Sequence, residues 1–412
     1  MIMKEARVYL DYHATTPIDD RVYNSMLPFL KEHFGNPSST FHSYGWKTQE
    51  AVDDARKSIA SNLNAKPREI VFTSGSTESN NIAIRGAAEK YRDKGNHIIT
   101  CGTEHKSVLS VCAYLEKNGF DVTYLPVDRD GLIDLNKLND AITDSTILIS
   151  LMFANNEIGV IHPIEEIGGI AKEKNVIFHT DATQAVGKMK IDVQKCGIDL
   201  MSMTAHKIYG PKGVGLLYIR SANPSVQVEP LIVGGSQEYN IRAGTLNVPG
   251  IIGLAKAITL CDDLLQDEVE TSRRLRDMFL EGIRENIENI SVNGSLEYRI
   301  PNNLNISFRG VEAQALLMMM DDIALSLGSA CLGDTIEPSH VLRALHIPEG
   351  DMYSAVRFGL GRYTSEEEIK YVVHRLTETV AMLRSQHSSP KQSRTKTAKK
   401  DKRYEKDRSF NE

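Results

Sequence analysis

Two residues 26 positions apart carry most of the chemistry that can be read from this chain. Asp181 stands in "HTDATQAVGK" (179–188) and Lys207 in "SMTAHKIYGPKGVG" (202–215), each directly after an apolar, strand-like run. A lysine set among strand, aromatic and turn residues is partly withdrawn from water. It therefore loses proton affinity and becomes a nucleophile fit for Schiff-base chemistry. A carboxylate at a neighbouring strand end either caps a helix or pairs with a cationic ring nitrogen. Upstream, "FTSGSTESNNIAI" (72–84) ends a strand, turns at Gly75 and opens a helix at Ser76-Thr77-Glu78. Such a helix start offers unpaired N–H groups and partial positive charge to a phosphate, with the Ser76 and Thr77 hydroxyls as further donors. Taken alone it reads more readily as a plain N-cap with a capping acid. There is no Walker lysine and no G-x-G-x-x-G, which argues against a nucleotide loop. Phosphate cradle, acid and lysine together are the parts that pyridoxal phosphate needs, the acid keeping the ring nitrogen protonated so that the ring can act as an electron sink.

The elements that position these residues alternate. Runs at 69–75, 97–102, 121–127, 146–154, 176–182, 199–205 and 213–220 read as strands, and stretches such as 77–94 and 164–174 have helical spacing. This order predicts a mainly parallel seven-stranded sheet covered by helices, with ligands at the carboxyl ends of its strands. The character changes near 255–265. One long amphipathic helix is predicted over 260–287, then a strand-like run at 301–310, a helix at 312–322, and a closing helix near 366–385. The expected organisation is an N-terminal segment (1–20) joined to the small domain, a large domain (21–260), a smaller α+β domain (261–385) and a disordered basic tail (386–412).

The 412 residues are 41% hydrophobic and 25% charged, as in a soluble protein with a sizeable core. The net charge of −6 conceals a tail (385–412) with nine Lys/Arg against four Asp/Glu, which leaves −11 for the body. Five scattered cysteines form no C-x-x-C pair and suit a reducing compartment; no zinc-spaced cluster is evident. Neither a signal-peptide core nor an apolar run of membrane-spanning length is present, so a cytoplasmic, non-membrane protein is expected.

The motifs "YLDYHATTP" (9–17), "FGNPSS" (34–39), "TSGSTESNN" (73–81), "TEHKSV" (103–108), "NNEIGV" (155–160), "HTDATQ" (179–184), "TAHKIYGPKG" (204–213), "RAGTLNV" (242–248), "GSACL" (328–332) and "VRFGLGRYT" (356–364) follow one another along the chain. In this set the chain resembles the NifS/IscS-type cysteine desulfurases, over roughly residues 8–385. The resemblance implies the aspartate aminotransferase fold of pyridoxal-phosphate enzymes, with a large α/β domain and a smaller α+β domain. It implies that Lys207 holds the cofactor covalently, Asp181 pairs with the pyridinium nitrogen and Gln184 bonds the phenolic oxygen. His105 would stack on the ring and assist proton transfers, and Asn156 would contact the ring. Ser76, Thr77, Thr204 and His206 would bind the phosphate, with Thr245 reaching the phosphate of the other subunit of a homodimer. Asn36 and Arg357 would hold the carboxylate of L-cysteine, the alternative for Arg357 being a structural ion pair.

The same resemblance explains Cys331, a lone thiol in the small, glycine-bearing stretch "SLGSACLGDTIEPSH" (326–340), read as a mobile loop. It would accept sulfur from cysteine as a persulfide, leaving alanine, and pass it to an iron–sulfur scaffold protein, a tRNA-thiolation enzyme or another acceptor. No firm metal site follows, although Cys331 could ligate a transient [2Fe-2S] cluster with a scaffold partner. Alternatives are a selenocysteine lyase or another enzyme of the same fold, a catalytically silent scaffold, and a polyanion-binding role for the tail. An aminotransferase would have no use for Cys331, and a silent scaffold none for Lys207, Asp181 and Cys331 together. Ser236, Tyr239 and Asn240 depart from the usual family pattern, as does the stretch after Cys331.

Overall fold

A computed structural model describes residues 7–222, 224–327 and 338–388. The chain opens with β1 (Val8–Tyr9), α1 (Asp20–Lys31) and α2 (Ser43–Asn62), then enters the main alternation. There β2 (Ile70–Thr73), α3 (Ser76–Lys90), β3 (His97–Cys101), α4 (Lys106–Lys117), β4 (Asp121–Leu125), α5 (Leu135–Ala141), β5 (Thr146–Ser150), α6 (Ile164–Glu173), β6 (Ile177–Asp181), β7 (Leu200–Thr204) and β8 (Gly215–Ile219) follow in turn. The seven predicted strands form one sheet, in the order β2-β8-β7-β6-β5-β3-β4. Only β8 runs against the others, pairing antiparallel with both β2 and β7. The central strands are buried along their whole length, which is why they read as continuous apolar runs and not as alternating ones.

Beyond the sheet come α7 (Val248–Asp263) and α8 (Leu265–Asn286). These replace the single helix predicted over 260–287. Leu260 and Cys261 of α7 pack into the core around the large sheet, whereas Leu275, Phe279, Leu280 and Ile283 of α8 belong to a second core. The two apolar faces serve different cores, so the helix breaks at Leu264, the shared cap. The second core lies against a three-stranded antiparallel sheet ordered β12-β10-β9, from β9 (Ile290–Val292), β10 (Asn303–Phe308) and β12 (Ala355–Gly359). Between β10 and β12 lie α9 (Ala313–Met319), β11 (Ile323–Ala324), α10 (His340–Ala344) and α11 (Glu349–Met352), and α12 (Glu366–Ser388) closes the described chain. The rings of Phe279 and Phe358 meet edge-to-face at 5.0 Å in this core. Each such buried side chain contributes about 1.5–3 kcal/mol.

At its N-terminus the chain joins this second core: Val8 pairs with Ile323 and Tyr9 with Ala324, and Val8 and Leu10 are buried there. Residues 386–388, placed in the tail by the sequence reading, continue α12 instead.

Candidate active site

Strands β2, β3, β5, β6 and β7 deliver their carboxyl ends to one edge of the large sheet, and β8 begins there. Loops leaving that edge carry the chemistry. β7 ends at Thr204 and turns through a short 3-10 helix, Ala205–Lys207. The Lys207 Nζ donates to the carbonyls of His13 and of Ala14, the latter at 2.6 Å. Burial, aided by the guanidinium of Arg357, lowers the amine to about 8 from its usual 10.5, against the pull of Asp11 and Asp181. Roughly a tenth of this amine is therefore unprotonated at pH 7, far more than for an ordinary lysine.

Asp181 ends β6 and is buried. Its Oδ1 accepts from the Thr183 N–H at 3.0 Å and its Oδ2 from Asn80 Nδ2 at 2.8 Å. The same Asn80 nitrogen donates to Ser107 Oγ at 2.8 Å, and Ser107 Oγ lies 2.8 Å from His105 Nδ1. Thus α3 and the start of α4 join Asp181 to His105 in one chain of hydrogen bonds. His105 is the N-cap of α4; burial lowers its pKa, so its ring is held neutral. Asn80 and Ser107 escaped the sequence reading, because their partnership crosses from α3 to α4 and no local spacing announces it.

Gln184 spends its amide oxygen on His13 Nδ1 and one amide hydrogen on the His13 carbonyl, both at 3.1 Å. His13 is buried and its imidazole is held well below its ordinary pKa by burial, with Arg357 adding to the effect. It too was missed as a site residue, although it lies within the motif at 9–17.

Beside these groups is a cavity of about 330 Å³. Ser76, Thr77, Thr204 and His206 line it together, and the structure adds Thr15 and Lys212. No side chain caps α3: its N-cap is Gly75, and Glu78 turns instead to the Ser74 N–H and to Arg242. The capping acid is thus present while no side chain caps the first turn, and Ser76 and Thr77 at the helix start line the cavity, a place suited to an anion. Gly75 adopts φ +153°, and a Cβ on Gly215 would come within 2.7 Å of the Gly75 Cα, so the floor of this seat is backbone against backbone. His206 is lowered to about 4 by burial and by Lys207 and Lys212, and its Nδ1 lies 3.2 Å from Thr15 Oγ1. It is a neutral hydrogen-bonding group.

Arg357, on β12, is buried. It donates to the Asn156 carbonyl at 3.0 Å, to Ser326 Oγ at 3.1 Å and to Asp11 Oδ1 at 2.8 Å. Arg357 and Asn156 are therefore brought together, through the backbone of Asn156, and the ion pair considered for Arg357 forms with Asp11. Asn36 caps its own exposed turn through the Ser38 N–H, and Thr245 is exposed and outside the cavity lining. Cys331 lies outside the described residues. Its flanks are anchored at the site: the Arg357 N–H donates to the Ser326 carbonyl, while Ser339 and His340 bond Glu157 and the Glu104 carbonyl. The other four cysteines are buried, with Cys101 pushed up to about 11 and Cys112 to about 12 by burial, so they are poor nucleophiles.

The residues fit pyridoxal phosphate. Buried polar atoms without a protein partner belong to residues that bond Asp181 or neighbour Lys207: Asn80 Oδ1, Thr183 Oγ1, His13 Nε2 and Arg357 Nε. They adjoin an uncapped helix start suited to a phosphate and a buried carboxylate suited to a ring cation. Among the described residues no group of three or more His, Cys, Asp or Glu side chains is placed to hold a metal, and no helix is long and apolar enough to cross a membrane.

Residues 8–372 match the family described as Aminotransferase class-V. A protein named "Cysteine desulfurase IscS" from Ehrlichia chaffeensis is 49% identical over 377 residues, covering 92% of each chain. The solved structure of a "NifS-like protein" superposes with a TM-score of 0.85 at 36% identity, covering 91% of this chain and 100% of that one. A structure titled "SspA in complex with cysteine" gives 0.78 at 39% identity, covering 87% and 100%.

Proposed function

The chain belongs to the class-V aminotransferase family, and from that membership and the Lys207 site we infer that it is a pyridoxal-phosphate-dependent cysteine desulfurase converting L-cysteine to L-alanine. The observation that carries the catalytic assignment is the Lys207 amine, its proton affinity lowered by burial at the sheet edge beside Asp181 and an uncapped helix start.

When bound, pyridoxal phosphate supplies an electron-withdrawing ring that stabilises negative charge on the Cα of an amino acid joined to it. Asp181, fixed by Asn80 and Thr183, holds positive charge on the ring nitrogen. Gln184 keeps one amide hydrogen for the phenolic oxygen, since His13 engages the other. Ser76, Thr77, Thr204 and His206 hold the phosphate, with Thr15 and Lys212 beside them. We assign Thr245, exposed on its own chain, to the phosphate site of a second copy, which makes the working unit a homodimer. His105 would cover the cofactor ring, and Asn156 would contact it. Arg357 and Asn36 take the substrate carboxylate, Arg357 exchanging its Asp11 partner for it.

Lys207 Nζ in its neutral form takes the Cα proton and returns one as alanine forms. The Cys331 thiolate attacks the substrate sulfur: a bond forms between the two sulfurs, and the Cβ–S bond breaks. Cysteine and the Cys331 thiol become alanine and a Cys331 persulfide, with no external oxidant. We place iron–sulfur scaffold proteins first among the acceptors of that sulfur, since the IscS-type resemblance points there. Mass spectrometry of the holoenzyme mixed with L-cysteine tests the whole reading. One added sulfur atom on the Cys331 peptide, with an equivalent of alanine, is expected; alanine without a modified Cys331, or neither, refutes it.

A further inference from the structure

Glu104 has no role in the chemistry above, yet it is wholly buried directly before His105. Its Oε1 accepts from the Met152 N–H at 2.6 Å, and its Oε2 has no partner. That single bond ties the turn between β3 and α4 to the chain leaving β5. The Glu104 carbonyl accepts from His340 Nε2 at 2.9 Å, which adds α10 to the same junction. Three segments that bring groups to the cofactor site therefore meet at one residue.

The surroundings decide its charge. Asp181, the charged group facing it from the end of β6, is another carboxylate, and the Cys101 and Cys112 thiols are its other ionisable neighbours, with His105 and His340 touching its flanks. Burial raises its pKa well above the carboxylate range, and Asp181 raises it further. An ionised carboxylate enclosed without a cation is so costly that the group takes up a proton instead.

We propose that Glu104 is a positioning residue that works as a neutral carboxylic acid, setting the height of His105 over the site. A missing strap would let His105 drift. Glutamine at this position is nearly isosteric with the protonated acid and keeps the acceptor for Met152. Alanine keeps neither shape nor acceptor.

The proposal rests on the cofactor reading of this site, and its spectroscopic arm does not depend on activity. Infrared difference spectra of wild-type minus Glu104→Gln holoenzyme at neutral pH should contain a carboxylic-acid carbonyl band that shifts in heavy water. A carboxylate band in its place overturns the proposal. In the kinetic arm, Glu104→Gln should retain alanine formation and the cofactor absorbance within about twofold, whereas Glu104→Ala should lose on the order of tenfold or more in kcat. The Gln variant should rescue what Ala loses, with the pH profile unmoved. Loss in Gln equal to that in Ala, or no loss in Ala, also overturns it. If the holoenzyme forms no alanine from cysteine at all, the activity reading has failed, while the infrared band still answers for Glu104.

Discussion

Asn80 Nδ2 lies 2.8 Å from Asp181 Oδ2 and donates the same amide group to Ser107 Oγ at 2.8 Å. One buried side chain on α3 thereby fixes both the acid expected under the ring nitrogen and the hydroxyl that braces His105. Both Asn80 hydrogens are committed, so their loss leaves two acceptors short of a donor.

Asn80→Ala should therefore weaken cofactor binding more than it weakens folding. Leaving a buried acceptor unpaired costs about 1–3 kcal/mol, which corresponds to roughly 5- to 150-fold in cofactor affinity. Titration of the apoenzyme with pyridoxal phosphate, beside a thermal melt of the apoenzyme, separates the two effects. An unchanged affinity would show that Asp181 does not need this donor.

Lys207 yields a pH signature. Burial lowers its proton affinity in the folded protein to about 8 from 10.5, so between those pH values the unfolded chain binds more protons. Stability of the apoenzyme should accordingly rise with pH across that window, the penalty being fully present below about 8. Urea melts of the wild-type apoenzyme and of Lys207→Met, compared from pH 7 to 10.5, should show a gap that changes over this range and then levels. The rate at which the apoenzyme captures pyridoxal phosphate should rise with pH around a midpoint near 8, because only the neutral amine attacks the aldehyde. A midpoint near 10.5 would mean the amine is not withdrawn from water.

Much of this arrangement could be read from local pattern. Strand ends are legible because β6 and β7 are buried on both faces and their apolar runs stop where Asp181 and Lys207 begin. What could not be read is whatever depends on two distant segments meeting. His13 becomes a site residue only because the N-terminal stretch returns to Gln184 and Lys207, and Asp11 only because β12 places Arg357 beside it. The break at Leu264 failed for a related reason: the amphipathic pattern is continuous through it, and only the existence of two cores separates α7 from α8.

Gly215→Ala tests the backbone floor of the anion seat. A Cβ there would meet the Met203 carbonyl oxygen at 2.4 Å and the Gly75 Cα at 2.7 Å, backbone atoms with no side-chain freedom to retreat. Overpacking of this kind costs about 1–3 kcal/mol. The melting temperature should fall, and inorganic phosphate, which should protect the wild-type apoenzyme against heat, should protect the variant less. Equal protection of both proteins would place the anion elsewhere.

Cys331→Ser separates the two halves of the reaction. The phosphate seat, Asp181 and Lys207 are held by bonds among other residues, so the variant should bind pyridoxal phosphate with wild-type affinity and retain its absorbance. L-Cysteine should still perturb that absorbance, since Arg357 and Lys207 are intact. A serine hydroxyl is far less acidic and less nucleophilic toward sulfur than a thiolate, so transfer should stop there. The four remaining thiols cannot substitute: all are buried, and burial raises the pKa of each. Alanine formation should fall by on the order of 100-fold or more, and no peptide should carry an added sulfur atom. Undiminished sulfide release would remove Cys331 from the mechanism and leave the thiols of Cys101, Cys112, Cys196 and Cys261 to be tested in turn, against the direction in which their surroundings push them.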